Sequence, residues 1–154
     1  MSSAVIDKVP LKFRRLPGGV DLPLPRLMTA GSAGLDLSAA VEQPTVVPPG
    51  QIRMIPVGFA VAIPAGFEGQ VRPRSGLAAK HGVSLVNSPG TIDSDYRGEV
   101  MVPLVNHGLA PFVVERGMRI AQLVICPVPP VEVEEVETLP ETSRGAGGFG
   151  HTGV

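Results

Sequence analysis

Asp93 and Tyr96 stand three residues apart in Asn87-Ser-Pro-Gly-Thr-Ile-Asp-Ser-Asp-Tyr-Arg-Gly98, which sets a carboxylate and the only tyrosine of the chain among turn residues. A carboxylate so placed can serve as a general base toward water, and a tyrosine offers a flat apolar face with a polar tip. Asn87 adds an amide with both donors and an acceptor. On either side, Ser84–Asn87 and Glu99–Val102 are apolar and β-branched, and Ser88-Pro89-Gly90 supplies turn chemistry. The two runs are therefore expected to pair as a hairpin. The fixed N–H and C=O groups of such a hairpin suit the hydrogen-bonding edge of a planar base, so the stretch reads as a nucleotide holder. An aspartate in a Gly/Ser turn also serves simply to make the turn, and the residues alone leave both readings open.

Four other segments carry polar groups that need partners. Pro73-Arg-Ser-Gly-Leu77 closes a strand and opens a short helix over 76–81, with Ser75 as its expected N-cap. Amides at a helix start, beside Arg74, Ser75 and Gly76, form either a small anion site or a plain cap. Asp36 and Gln122 are single polar residues inside apolar strands, awaiting a structural partner or a ligand. The segment 142–154 has five glycines in thirteen residues and too little apolar surface to fix itself. It is a mobile tether or a phosphate clamp, in which glycine amides wrap an anion, Arg144 makes bidentate contacts and Phe149 stacks. Gly145 to Gly150 has P-loop spacing, but His151-Thr152 replaces the expected Lys-Ser/Thr and no helix follows. His81, His107 and His151 are isolated, so metal-ligand spacing is missing; a divalent ion would be Mg²⁺ held largely by phosphates and water.

The elements that position these groups are short. Glycine (19) and proline (17) leave no stretch longer than nine residues free of both, which denies room to long helices. Runs rich in Val and Ile predict strands at 11–16, 35–41, 51–63 (broken at Pro56-Val57-Gly58), 68–73, 83–87, 99–106, 111–115, 119–126 and 131–138. The expected class is all-β, a jelly-roll-like barrel or sandwich with one short helix and a mobile Gly-rich C-terminal tail. Residues 1–141 form a single β domain and 142–154 the tail. Pro127-Val-Pro-Pro130 is a stiff spacer that throws the strand at 131–138 outward, where it could dock on a neighbouring subunit.

With 13 basic and 14 acidic residues the net charge is −1, so no broad basic surface points to nucleic acid as a partner. Cys126 is alone in an apolar run and reads as a packing residue. The N-terminus lacks a signal-peptide core and no apolar run nears the roughly 20 residues that span a bilayer. A soluble, cytoplasmic protein without membrane partners is expected.

Five segments taken in order, Ala33-Gly-Leu-Asp-Leu-Ser-Ala39, Pro73-Arg-Ser-Gly-Leu77, Gly90-Thr-Ile-Asp-Ser-Asp-Tyr-Arg-Gly-Glu99, Arg116-Gly-Met-Arg-Ile-Ala-Gln-Leu123 and Ser143-Arg-Gly-Ala-Gly-Gly-Phe-Gly-His-Thr-Gly153, resemble the five motifs of the trimeric dUTPase family. The resemblance implies a jelly-roll subunit, a homotrimer whose active sites are shared between chains, and Mg²⁺-dependent hydrolysis of dUTP to dUMP and pyrophosphate. It assigns Asp93 to deprotonating the attacking water and Tyr96 to stacking under the deoxyribose, where no 2′-hydroxyl fits. It gives uracil to Asn87 and the backbone near Thr91, Ile92 and Met101. Arg74, Ser75, Gly76 and Gln122 would contact phosphates, Asp36 would hold a water of the metal shell, and Arg144, Phe149 and Gly150 would close over γ-phosphate and base. A dCTP deaminase shares the implied fold but needs a further carboxylate to activate water at the cytosine ring, and none stands in a matching place. A non-catalytic jelly-roll binding module would not need Asp93, Tyr96 and the Arg144 tail together.

Overall fold

A computed structural model of the chain describes residues 8–149. The strands are β1 (Lys12–Arg15), β2 (Arg26–Leu27), β3 (Leu35–Ser38), β4 (Thr45–Val47), β5 (Ile52–Ala62), β6 (Phe67–Arg72), β7 (Val83–Leu85), β8 (Gly90–Ile92), β9 (Glu99–Asn106), β10 (Phe112–Val114) and β11 (Arg119–Pro127); the one α-helix among the described residues, α1, is Ser75–His81, and a 3-10 turn spans Pro17–Gly19. Four strands form a sheet in the order β1-β5-β9-β7, five form a second in the order β2-β3-β11-β6-β8, and β4 pairs with β10. All pairs are antiparallel. This is the expected all-β, jelly-roll-like architecture.

The main core lies between the sheets, with a small second cluster of Leu22, Ala40 and Phe59 beside it. Alternation along β9 puts Val100, Val102 and Leu104 inside while Met101 faces out. Those side chains meet Leu37, Val71, Ile120 and Leu123 from the opposite sheet. Fully burying each such residue is worth about 1.5–3 kcal/mol, so the interleaved faces dominate the stability. The buried Asn106 is fully paired: its Nδ2 donates to the carbonyls of Val47 and Ala110, each at 2.8 Å, and its Oδ1 accepts from the Gly108 amide at 2.8 Å. It thereby ties the small β4–β10 sheet to the end of β9.

The expected break at 56–58 is a register shift inside a continuous β5. Gly58 has φ +74°, a conformation that side chains rarely adopt, and its backbone packs against that of Gly19. Among the described residues 131–138 forms no strand; Val131 and Val133 are 80% and 91% exposed, because the segment finds no partner edge within its own chain. No helix among the described residues is long and apolar enough to cross a membrane.

Arg116 clasps the N-terminal segment to the β10–β11 turn by pairing with Asp21 and donating to the Gly18 carbonyl at 2.8 Å. The guanidinium's hydrogen bond holds the Asp21 carboxyl below its ordinary range. A lowered carboxylate pKa means stability that is present above the unfolded value of about 3.9 and lost as pH falls through the folded value. Asp21→Asn should therefore melt below the parent at neutral pH, with the two melting curves converging in acid. A constant gap down to pH 2 would show that the pair is not the cause.

Candidate active site

The segment 86–98 crosses between the sheets, and the crossing makes the cleft. β7 does pair with β9, but at Val83↔Asn106, Ser84↔Val105 and Leu85↔Leu104, toward the far end of β9 from Glu99–Val102. Gly90–Ile92 meanwhile joins the other sheet as β8, pairing with β6 at Gly69↔Ile92, Gln70↔Thr91 and Val71↔Gly90. The simple hairpin with a turn at 88–90 is thus corrected: burial of Gly90 and Ile92 draws that stretch onto β6. The chain then turns, with the Tyr96 amide donating to the Asp93 carbonyl at 3.1 Å, and re-enters β9 at Glu99.

Between these strands lies a cleft of about 180 Å³. Asn87, Thr91, Ile92, Asp93, Tyr96 and Met101 all line it, over an apolar floor of Val71, Leu85 and Val100. The volume is below that of pockets that enclose drug-sized ligands, and it suits one planar ring with the rest of a ligand at the mouth. Asp93 is exposed at that mouth. The Tyr96 hydroxyl donates to the Glu99 carbonyl at 2.9 Å. Glu99, which the sequence reading did not single out, accepts the Gly58 amide on Oε1 at 3.1 Å and so joins the cleft to the β5 irregularity.

A second group of site residues lies across the five-stranded sheet. Asp36 is opposite Gln122, which is in turn opposite Arg72. The Asp36 carboxylate, 15% exposed, pairs with Arg119 Nη1 at 3.0 Å and Arg74 Nε at 3.4 Å. Arg74 Nη1 also donates to the Arg119 carbonyl at 3.1 Å. Arg119 was missed as a separate site residue; its only sequence signal is an arginine at the head of the apolar run 119–126. Gln122 Nε2 donates to the Pro73 carbonyl at 2.9 Å, fixing the chain just ahead of Arg74. Ser75 proves to be the first helical residue, while Arg74 holds the N-cap position without a side-chain cap. Leu77 and Ala78 amides bond to the Arg74 carbonyl, so the Ser75 and Gly76 amides remain as the open donors of the helix start.

Glycines make room for three of these side chains. A Cβ at Gly34 would stand 2.5 Å from Gln122 Oε1, one at Gly90 3.1 Å from Asn87 Nδ2, and one at Gly98 2.3 Å from the Tyr96 hydroxyl.

The two groups do not share a cleft within one chain: Arg74, Ser75, Gly76, Gln122 and Asp36 are absent from the lining of the Asn87–Tyr96 cleft. The described part of the tail bonds only to itself, with Arg144 Nε donating to the Gly147 carbonyl at 2.7 Å and Phe149 fully exposed. Gly150 lies outside the described residues. For a divalent ion the described residues offer no cluster of three His, Cys, Asp or Glu. Asp36 has already committed an oxygen to each of two arginines, so it fits as an acceptor for a metal-bound water and not as one of several direct ligands.

The chain matches the dUTPase family model over residues 21–153. It is 60% identical over 151 residues to the deoxyuridine 5′-triphosphate nucleotidohydrolase of Maricaulis maris (strain MCS10), covering 97% of this chain and 99% of that protein. It is 58% identical over 146 residues to the protein of the same name from Rhizobium etli (strain CIAT 652), covering 94% of each. Among solved structures, the dUTPase of Staphylococcus bacteriophage 80alpha with dUPNHPP superimposes with a TM-score of 0.83 at 27% identity, over 94% of this chain and 99% of that one.

Proposed function

This chain belongs to the dUTPase family, and on that premise we propose that it hydrolyses dUTP to dUMP and pyrophosphate in the cytoplasm, limiting uracil in DNA and supplying dUMP for thymidylate synthesis. The observation that carries the reading is the convergence of Asn87, Thr91, Ile92, Asp93, Tyr96 and Met101 on one base-sized cleft.

Uracil enters that cleft edge-on to the Asn87 amide and to the backbone of Thr91, Ile92 and Met101. Cytosine would leave buried donors and acceptors unpaired, which is the stronger form of rejection. The 5-methyl of thymine is turned away by lack of volume. Tyr96 backs the deoxyribose. Asp93 accepts a proton as the water oxygen bonds to the α-phosphorus, the bond from that phosphorus to the bridging oxygen breaks, and pyrophosphate leaves. Arg74, the Ser75 and Gly76 amides, Gln122 and Arg144 meet the phosphate charge, and Phe149 and Gly150 close over the base. Asp36, through a water, and the triphosphate would hold Mg²⁺, which would supply further neutralisation of the leaving group.

The enzyme acts as a homotrimer with shared sites. Two features support this: the base cleft and the Arg74–Gln122 group lie apart within one chain, and Val131 and Val133 stand exposed among the glutamates of 131–138, uncovered by the other described residues.

The test is pyrophosphate release from dUTP, dCTP, dTTP and UTP, with light scattering on the active species. The expected result is dUTP ahead of each other nucleotide by about 10²-fold or more in kcat/KM, at three chain masses. Comparable turnover of dTTP, ammonia from dCTP, or a fully active monomer would overturn it.

A further inference from the structure

Tyr96 is fixed at its hydroxyl end by two neighbours. Its hydroxyl donates to the Glu99 carbonyl at 2.9 Å. Its ring lies so close over Gly98 that a Cβ there would stand 2.3 Å from the hydroxyl oxygen, 2.6 Å from Cζ and 3.0 Å from Cε2. No other group crowds that space closely enough to rank with the ring, and Gly98 is not among the glycines with positive φ. An alanine is therefore acceptable to the backbone at 98, and what it would meet is the tyrosine. Glu99 is in turn anchored by the Gly58 amide on its side chain, at a point where β5 packs against Gly19. The ring rests against a stiff backbone.

We propose that Gly98 is a specificity-determining position: by lacking a Cβ it lets Tyr96 lie flat as a rigid wall, and that rigidity excludes ribonucleotides. The proposal rests on the reading of Tyr96 as the wall behind the sugar. Rejecting one extra oxygen by sterics works only against a wall that does not yield. A Cβ at 98 forces the hydroxyl end off its seat and breaks the bond to Glu99. Tyr96 is 44% exposed, so its ring has solvent to swing toward, whereas the cleft behind it is already narrow. The sugar site widens and the 2′-hydroxyl gains room.

The experiment measures kcat and KM for dUTP and UTP, with melting temperatures, for the parent, Gly98→Ala, Tyr96→Phe and the double variant. In Gly98→Ala the dUTP/UTP ratio of kcat/KM should fall about tenfold or more, with kcat/KM for UTP rising in absolute terms through its KM, while the melting temperature changes by only a few degrees. Tyr96→Phe keeps the ring but loses the hydroxyl tether, and its ratio should fall by about three- to tenfold, the value of one neutral hydrogen bond. The two changes loosen one contact, so the double variant should fall short of their product. An unchanged ratio in Gly98→Ala, or equal losses on both nucleotides, overturns the proposal. Should Gly98→Ala fail to fold, Tyr96→Phe decides in the same way. A parent without dUTP turnover would instead refute the functional reading, so the two failures are told apart.

Discussion

Asp93→Asn should lower dUTP turnover by about 10²- to 10⁴-fold while nucleotide affinity changes little, because the amide keeps the shape of the carboxylate but cannot take a proton. The placement of the residue makes the test sharp. Asp93 lines the base cleft as well as the outer hollow beside Phe67 and Pro129, whereas Asp95, two residues on, lines that hollow and not the base cleft. Asp95→Asn is thus a matched control: the same chemical change in the same turn, expected to leave turnover within about twofold. Solvent ¹⁸O locates the attack in the same series, since label should enter dUMP and not pyrophosphate. Parental turnover by Asp93→Asn, or label in pyrophosphate, would remove Asp93 from the mechanism and leave the family assignment intact.

Truncation before Thr142 should cost most of the turnover, about 10²-fold, with fold and assembly unchanged. Up to Phe149 the tail makes hydrogen bonds only within itself, Gly145 to Thr142 and between Arg144 and Gly147, so removing this described part costs the β domain no hydrogen bond. On the proposed reading, the truncated protein loses the Arg144 guanidinium, whose paired donors match a phosphate, and the closure of glycine amides over it. Arg144→Ala should reproduce a large part of the deficit. If the truncated protein worked at the parental rate, the glycines would be a tether and nothing more.

Much of the fold was legible because period-two burial is written locally. β9 runs from Glu99 to Asn106 as its alternation predicts, and Pro56-Val57-Gly58 marks a real irregularity in β5. What could not be read is which sheet a three-residue strand joins. Gly90–Ile92 looks like part of a turn until β6 offers it a partner, a choice made by residues some twenty positions away. The same holds for 131–138, whose alternation is visible but which pairs with no strand among the described residues. In the site, Asn87, Asp93 and Tyr96 stood out because they crowd into one short stretch of turn chemistry, whereas Thr91, Ile92 and Met101 came only from the resemblance to the dUTPase motifs; all six line one cleft. Arg119 escaped because only the pairing of β3 with β11 brings it to Asp36. Ser75 was misplaced by one residue, the usual margin at a helix start.

The seats that Gly34, Gly90 and Gly98 provide also bear on how this protein could be made more heat-resistant. Replacing a glycine by alanine where φ is negative is a standard route to a sturdier chain, since it removes freedom from the unfolded ensemble at no conformational strain in the native one. None of these three glycines has a positive φ, so a search guided by backbone angles alone would select them. Each would then push aside Gln122, Asn87 or Tyr96. On the proposed reading of the site, tolerance to heat and handling of the nucleotide draw on the same few missing methyl groups, and gains in the first would be made at the expense of the second.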